Sequence, residues 1–169
     1  LEAWYPHKNK LTAIGIDDAS FLETKYPGVT FIQANGLDLP FEDNSFDIVH
    51  SSAVLEHVGS HANQTQFISE CARIARKGIF LTTPNLWFPI EFHTVLPLIH
   101  WLPKSMHRKC LQLLNMPFFA QEENLNLLSK SDLLEISSKN DKFDFTYSSV
   151  NLLGWPSNLL LSGQLKTAL

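Results

Sequence analysis

The sequence contains few cysteines, and its glycines stand far apart. Cys71 and Cys110 are the only cysteines among the 169 residues, and they form no CxxC or other metal-binding spacing. Closely spaced cysteines are typical of secreted disulfide scaffolds and zinc sites, so their absence predicts a reducing, cytoplasmic location. No two of the seven glycines lie within five residues of each other. The sequence therefore has no glycine-rich loop through which the backbone could approach a ligand closely.

The sequence also lacks a stripe of like charge and a long apolar run. Its 17 acidic and 13 basic residues are scattered and leave a formal net charge of -4, which argues against a nucleic-acid partner. Between Gly78 and Pro103 the only charged residue is Glu91, but four prolines divide this stretch. A membrane-spanning helix needs about 20 unbroken apolar residues, so the stretch is not predicted to cross a membrane.

Short apolar runs alternate with one amphipathic segment in the first half of the chain. Residues 63–76 carry apolar side chains at helical spacing, with Asn63 and Gln66 interpreted as the capping pair. A strand, a helix and a strand with short connections make a parallel crossover, which predicts an open α/β sheet with helices on both faces. Four apolar runs predict the buried strands, at residues 11–16, 29–34, 46–49 and 78–83.

The last third of the chain has a different pattern. Residues 104–115 and 131–138 predict amphipathic helices, whereas residues 143–150 and 158–164 predict strands. Two strands joined without a helix form an antiparallel pair, so the sheet is expected to be mostly parallel with an antiparallel edge. One domain is predicted over residues 1–169.

Asp17 ends the first predicted strand, at the sheet edge where open α/β folds bind ligands. Its carboxylate could accept hydrogen bonds from both hydroxyls of a ribose. An aspartate at a strand end is more often a turn former or a helix cap, and that interpretation is preferred for Asp18, which precedes Ala19 and Ser20. Position alone makes Asp17 a candidate ribose ligand.

A longer motif follows in a fixed order. It consists of Leu-Pro-Phe at 39–41, an Asp-Asn-Ser turn at 43–45 and Ser-Phe-Asp at 45–47, with an apolar run on either side. The motif resembles the type 11 group of class I S-adenosylmethionine-dependent methyltransferases. The resemblance implies a Rossmann-like sheet and S-adenosylmethionine as the cofactor.

The resemblance also assigns roles to individual residues. Asp17 would bind the cofactor ribose and Asn35 the adenine, with the backbone at Gly36 and Leu37 closing over the edge of the ring. The group usually has an aspartate where this chain has Asn35. An amide oxygen can still accept a hydrogen bond from the adenine amino group, but without the charge assistance of a carboxylate.

The loop after the third predicted strand, residues 50–58, matches the part of these enzymes that lies beneath the methionine portion of the cofactor and opens toward the substrate. Ser51 and Ser52 are candidate cofactor contacts, and Glu56 is a candidate substrate contact. His57 is the candidate general base, because an unperturbed imidazole has a pKa of about 6.5. The alternative is that Glu56 and His57 form an ordinary helical surface.

His57 and His61 are four residues apart and would share one face of an uninterrupted helix, where they could bind zinc. Gly59 and Ser60 interrupt that helix, and the sequence offers no evident third ligand. The sequence therefore predicts that the protein binds no metal.

Residues 84–130 are predicted to form a lid or substrate-facing insertion, with Trp87, Glu91 and His93 as candidate substrate contacts. A carboxylate and an imidazole two residues apart in an otherwise uncharged stretch indicate a site rather than a core. Aromatic residues followed by basic ones are compatible with peripheral membrane contact through residues 86–109, or with a lipid-linked acceptor. The preferred alternative is a lid that packs its own aromatic side chains.

The resemblance further implies a first strand and a glycine-rich loop, which would lie before Leu1. In the family that strand occupies the centre of the sheet, between the strand ending at Asp17 and the one ending near His50. Its absence would leave two strand edges unpaired, which predicts homo-oligomers through the open edges. Weak binding of S-adenosylmethionine by residues 1–169 is also expected.

Three functions follow from these features. The leading one is methyl transfer from S-adenosylmethionine to a small-molecule or lipid-linked acceptor, with oxygen slightly favoured because His57 and His93 offer candidate bases. The second is a non-catalytic methyltransferase-like binding or scaffold module that has lost the cofactor loop. The third is a different nucleotide-binding α/β protein, which the motif at residues 39–47 disfavours.

Overall fold

The chain divides into two units, Leu1–Phe41 and Glu42–Leu169, and the computed structural model describes residues 1–166. Each unit carries its own sheet. The single domain predicted over residues 1–169 stays a prediction, and its positions 167–169 lie outside the described residues.

The first unit contains one parallel crossover. Strand β1 (Thr12–Gly15) and strand β2 (Thr30–Gln33) pair in parallel, with Gly15 opposite Gln33. Helix α1 (Phe21–Lys25) connects them. The two strands coincide with the first two apolar runs of the sequence, and each is a little shorter than its run.

The second unit contains a four-stranded sheet. Its strands are β3 (Phe46–Ser52), β4 (Ala75–Pro84), β5 (Phe143–Leu152) and β6 (Trp155–Leu165), in the spatial order β3-β4-β6-β5. β3 and β4 are parallel, while β6 runs antiparallel to both β4 and β5. The predicted open α/β sheet with an antiparallel edge is therefore confirmed.

Three helices accompany this sheet. Helix α2 (His61–Ile74) connects β3 to β4, and helices α3 (Lys104–Leu113) and α4 (Lys130–Ser138) lie between β4 and β5 in the chain. Short 3-10 helices occur at Leu55–His57 and Ile99–Trp101. No helix in the described part of the chain has the length and hydrophobicity that a transmembrane segment needs.

The predicted cap of α2 is wrong by three residues. Ser60 is the N-cap, and its hydroxyl accepts a hydrogen bond from Asn63 N at 3.2 Å. The Asn63 side chain instead donates to the Val58 carbonyl at 2.9 Å. Ser60 can cap the helix because Gly59, with φ of 90°, turns the chain immediately before it.

The core of the second unit lies where α2 and α4 pack on the sheet. The apolar stripe of α2 is buried, which confirms the amphipathic interpretation of this segment. β4 and β6 supply the centre of the sheet, and α3 buries only Leu111. The most completely buried apolar side chains include Leu55, Ile68, Ile74, Ala75, Leu111, Leu159 and Leu161.

β1 and β3 each have a neighbour on one side only. Among the described residues, β1 pairs with β2 alone and β3 pairs with β4 alone. The strand that the family resemblance places between the ends at Asp17 and His50 stays a prediction.

Candidate functional site

The carboxyl edge of the β1–β2 pair carries Asp17 and Asn35. Each follows its strand by two residues, and the parallel register brings the two strand ends level. The Gln33 side chain donates to the Ile16 carbonyl at 2.9 Å, and Ala34 N donates to Gly15 O at 2.9 Å. Both side chains are exposed, so the edge presents a carboxylate and an amide to solvent.

Local turns shape this edge. The Asn35 amide oxygen accepts a hydrogen bond from Leu37 N at 3.0 Å, which folds Asn35, Gly36 and Leu37 into an Asx turn. An amide oxygen has a second lone pair, so Asn35 keeps one acceptor position. Asp18 Oδ1 accepts from Ser20 N at 2.9 Å, a bond that lowers the pKa of Asp18. The turn-forming interpretation of Asp18 is confirmed, and Asp17 is left as the outward-facing carboxylate.

In the second unit, β3 ends at the two predicted serines. Ser52 lies opposite Thr82 of β4, and their hydroxyl oxygens are 2.9 Å apart. Ser51 is half-buried beside Leu81. Ala53, with φ of 53°, then turns the chain into the 3-10 helix that carries Glu56 and His57. The roles of both serines in cofactor binding stay predictions.

Glu56 is buried rather than exposed. Its side chain has no solvent exposure, and its Oε2 accepts a hydrogen bond from Thr83 Oγ1 at 2.9 Å. Its Oε1 is equally buried and accepts no hydrogen bond from the described part of the chain. The alternative of an ordinary helical surface at Glu56 and His57 is therefore wrong, because a surface carboxylate would be solvated.

His57 and His93 are in contact, although they are 36 positions apart in the sequence. Their Nε2 atoms are 3.0 Å apart, with the two rings perpendicular. His57 Nδ1 donates to the Asn124 carbonyl at 2.6 Å, and His93 Nδ1 donates to Glu91 Oε1 at 2.6 Å. The structure thus brings together four of the predicted site residues, Glu56, His57, Glu91 and His93.

Glu91 is held by a tight turn. Its Oε1 also accepts from His93 N at 2.9 Å, and its Oε2 accepts from the amide and hydroxyl of Thr94 at 2.6 and 2.7 Å. Burial raises the pKa of Glu91, but the hydrogen bonds from His93 and Thr94 outweigh burial and lower it to about 2. The hydrogen bond between the His93 side chain and Glu91 raises the pKa of His93, although burial lowers it.

These contacts assign the tautomers of both imidazoles. A carbonyl and an ionised carboxylate can only accept, so His57 Nδ1 and His93 Nδ1 each carry a hydrogen. A neutral imidazole with hydrogen on Nδ1 has a lone pair on Nε2. Two such lone pairs face each other at 3.0 Å, and the pair can therefore take up one shared proton.

Trp87 lies outside this cluster. Its ring is 6.1 Å from that of Trp101, and both line a cavity of about 340 Å³ together with His107 and Arg108. Phe119 lines the same cavity, and its ring centroid is 6.0 Å from that of His93. The aromatic residues of the insertion thus pack on one another in part, as the preferred interpretation expected, while Trp87 is 52% exposed.

Sequence reasoning gave no role to Thr83, Asn124 and Asn126. Thr83 supports Glu56, and the Asn124 carbonyl orients His57. Asn126 N donates to the Glu56 carbonyl at 2.8 Å, and its side chain donates to Gly59 O at 2.7 Å. No motif in the sequence marks Asn124 and Asn126, because only packing brings them to the site.

Residues 4–82 match a family model described as a methyltransferase domain. That match includes the strand ends at Asp17 and Asn35 and the Leu-Pro-Phe motif. Residues 4–82 of the chain are thus a methyltransferase domain of the S-adenosylmethionine-dependent kind. The family predicted from the sequence is confirmed, and S-adenosylmethionine is the cofactor of this family.

Relatives in mycobacteria support the assignment to this methyltransferase family. A Mycobacterium tuberculosis protein named "Probable S-adenosylmethionine-dependent methyltransferase" is 34% identical over 80 residues, which cover 45% of this chain and 28% of that protein. A Mycolicibacterium smegmatis relative with the same designation is 31% identical over 133 residues, 75% of this chain and 50% of its own length. The chain thus spans half or less of these relatives.

Solved structures share the fold of this methyltransferase family. An S-adenosylmethionine-dependent methyltransferase from Mesorhizobium loti superposes with a TM-score of 0.62 at 13% identity, over 90% of this chain and 79% of that one. One from Methanosarcina mazei gives 0.54 at 17% identity, over 91% and 81%. At these sequence identities, the similarity to both structures concerns the fold alone.

Proposed function

We propose that the protein transfers a methyl group from S-adenosylmethionine to an oxygen nucleophile of a small-molecule or lipid-linked acceptor. The observation that carries the proposal is the pair Asp17 and Asn35 at the level carboxyl ends of two parallel strands, within the region that matches the methyltransferase model. A carboxylate at one strand end suits the ribose hydroxyls, and an amide at the next suits the adenine edge.

Methyl transfer from a sulfonium is an in-line displacement. The bond from sulfur to the methyl carbon breaks as the bond from the acceptor oxygen to that carbon forms, and S-adenosylhomocysteine leaves. Most of the acceleration comes from holding the nucleophile close and aligned, and proton removal contributes less. His57 is the proposed acceptor of the hydroxyl proton.

The support for an oxygen nucleophile is the pair of imidazoles. His57 Nε2 carries a lone pair, and the neighbouring His93 can share the proton it receives. The Glu91 carboxylate then stabilises the charged pair through His93 Nδ1. A hydroxyl needs such a proton acceptor, whereas a thiolate or a neutral amine needs it less.

The support for a lipid-linked acceptor is the exposed apolar surface of residues 86–109. Lys104 and Lys109 are exposed in the same stretch of the sequence, and apolar side chains together with basic ones favour an anionic membrane surface. Peripheral membrane contact, a cytoplasmic location and homo-oligomers through the open strand edges belong to the same proposal. The exposed apolar side chains include Trp87, Phe92, Val95, Leu98, Trp101 and Met106.

The test compares two adjacent carboxylates in the intact protein. Asp17→Ala is expected to weaken binding of S-adenosylmethionine at least about tenfold, because buried or partly desolvated hydrogen bonds to a charged group contribute about 1.5–3 kcal/mol. Asp18→Ala is the matched control, since Asp18 serves the local turn. Equal affinities of the two variants would contradict the assignment of Asp17.

Formation of S-adenosylhomocysteine with hydroxylated small molecules and with lipid-linked acceptors tests the reaction itself. Product with any hydroxyl acceptor supports the proposal. Cofactor binding without product across both acceptor classes would instead favour a non-catalytic module. The lack of closely spaced glycines in the chain is compatible with such a module.

A further inference from the structure

Three ligand-type atoms converge at the centre of the second unit's cluster. They are Glu56 Oε1, His57 Nε2 and His93 Nε2, and the ligand atoms of these three residues all lie within 4.8 Å of one another. Glu56 Oε1 is 3.8 Å from His57 Nε2, which in turn is 3.0 Å from His93 Nε2. The three residues come from two separate parts of the chain, the 3-10 helix after β3 and the turn after β4.

Hydrogen bonding leaves all three atoms as electron-pair donors. Both Nδ1 atoms donate to oxygen, so both Nε2 atoms present lone pairs when the two imidazoles are neutral. Glu56 Oε1 is fully buried and accepts no hydrogen bond from the described residues. A buried acceptor without a partner costs free energy, and two lone pairs at 3.0 Å repel each other unless a positive charge lies between them.

We propose that Glu56, His57 and His93 bind one divalent transition-metal cation through Glu56 Oε1 and the two Nε2 atoms. Imidazole and carboxylate together suit zinc, iron, cobalt and related ions. Two nitrogens bound to one tetrahedral zinc ion are about 3.3 Å apart, because Zn–N bonds measure about 2.0–2.1 Å. The observed 3.0 Å is within a few tenths of an ångström of that separation.

Each proposed ligand is oriented by a second group. The Asn124 carbonyl accepts from His57 Nδ1, the Glu91 carboxylate accepts from His93 Nδ1, and Thr83 Oγ1 donates to Glu56 Oε2. Such outer contacts are typical of metal sites, where they fix the tautomer and direction of each ligand. His61, the residue that the sequence pairs with His57, is not one of the three ligands, and its Nε2 lies 3.5 Å from Glu135 Oε1.

The site keeps an open side. The side chains of His57 and His93 are 33% and 22% exposed, so solvent reaches part of both imidazoles. Three protein ligands with a free position are typical of catalytic metal sites. Resting on the proposed function, the free position would take the acceptor's hydroxyl oxygen and lower its pKa, so that its proton would leave to solvent rather than to His57.

The test measures metal binding without cofactor or acceptor. The intact protein is stripped with a chelator and titrated with Zn²⁺ by calorimetry and with Co²⁺ by visible absorption. One equivalent of metal should bind. The visible absorption bands of the bound Co²⁺ should be those of a cobalt ion with a low coordination number. Glu56→Gln, His57→Gln and His93→Gln should each weaken binding by more than the roughly 10- to 100-fold loss typical of outer contacts. His61→Ala, whose imidazole is 42% exposed at the start of α2, should bind as the unaltered protein does.

Thermal unfolding checks that each variant folds and adds a second measurement. Zn²⁺ should raise the Tm of the unaltered protein and of His61→Ala, but not that of His93→Gln. The proposal is overturned if no stoichiometric metal binds, or if His57→Gln and His93→Gln bind as tightly as the unaltered protein. Methyl transfer that persists in the absence of metal binding would overturn the metal site and leave the proposed function standing.

Discussion

Hydrogen bonds to oxygen decide which nitrogens of His57 and His93 are available for chemistry. Asn124 and Glu91 each take the Nδ1 hydrogen of one ring, and the two Nε2 atoms are thereby directed at each other. The sequence pointed to all four residues of the cluster: Glu56 and His57 lie in the loop that matches the family, and Glu91 and His93 were selected from their residue types. It did not foresee the burial of Glu56 or the Asn124 contact, because both depend on how residues 84–130 fold over the 3-10 helix.

Replacing Glu91 tests the turn that presents His93. Glu91→Gln should lower the free energy of unfolding at pH 7 by about 2 kcal/mol, because the carboxylate accepts charge-assisted hydrogen bonds from His93 and Thr94. A carboxyl whose pKa is lowered on folding stabilises the protein above its unfolded pKa. The difference between the unaltered protein and the variant should therefore shrink as pH falls from 4.5 toward about 2.

Urea unfolding of both proteins at a series of pH values measures this difference. Glu123→Gln is the control, since Glu123 is exposed and should change stability by no more than about 0.5 kcal/mol. A difference that is independent of pH would show that packing, rather than the charge of Glu91, holds the turn.

Replacing His57 tests the chemistry of the cluster. His57→Ala in the intact protein should lower turnover by about 100-fold or more while cofactor affinity stays nearly unchanged, because proton removal contributes about 10²- to 10⁴-fold. Steady-state kinetics with separate measurement of cofactor binding distinguishes the two effects. His61→Ala serves as the control, and parallel losses of turnover and cofactor affinity in His57→Ala would indicate a structural role.

At the scale of elements, apolar periodicity located every strand and the three longer helices to within a few residues. Helix α1 was missed because five residues are too few for a periodic signal. The start of α2 was misplaced because Asn63 and Ser60 are both good caps by residue type. The turn at Gly59, whose φ is 90°, decides between them, and it depends on the backbone around it.

Removing the cap of α2 should destabilise the second unit. Ser60→Ala is expected to lower the free energy of unfolding by about 1 kcal/mol, since Asn63 N then loses its acceptor. Chemical denaturation measures the change. Ser138→Ala, at the exposed end of α4, should lower the free energy of unfolding by less. Equal losses in the two variants would mean that the Ser60 hydroxyl does not cap α2.

Adding a methyl group to β6 tests the packing of the antiparallel edge. A Cβ at Gly163 would lie 2.8 Å and 3.1 Å from two ring carbons of Phe145. Gly163→Ala should therefore lower the free energy of unfolding by about 1–3 kcal/mol, the usual cost of overpacking. Ser148→Ala, on the exposed side of β5, is the control, and a Gly163→Ala protein of unchanged Tm would mean that the Phe145 ring moves freely aside.

At the scale of the whole molecule, the two sheets define two units, and each carries some of the proposed site residues. The first unit presents Asp17 and Asn35, and the second presents the histidine cluster. No glycine-rich loop accompanies either sheet, because the glycines are dispersed through the chain. Firm binding of the methionine portion of the cofactor depends on such a loop.

The chain of residues 1–169 should accordingly bind S-adenosylmethionine weakly. Titration calorimetry should give a Kd well above the low-micromolar range, and Asp17→Ala should remove the residual heat if that heat comes from the ribose contact. Low-micromolar binding by these residues would contradict the expectation and would show that the glycine loop is dispensable here.

The order of amino acids by itself determined the strands, the amphipathic helices, the antiparallel edge and the methyltransferase family. These features rest on periodicity and short motifs, which act between residues close in the chain. Tertiary structure alone decided that Glu56 is buried, that His57 faces His93, and that Asn124 and Glu91 fix their tautomers. Those contacts join residues up to 67 positions apart, and their geometry is set by packing and loop closure rather than by local preference.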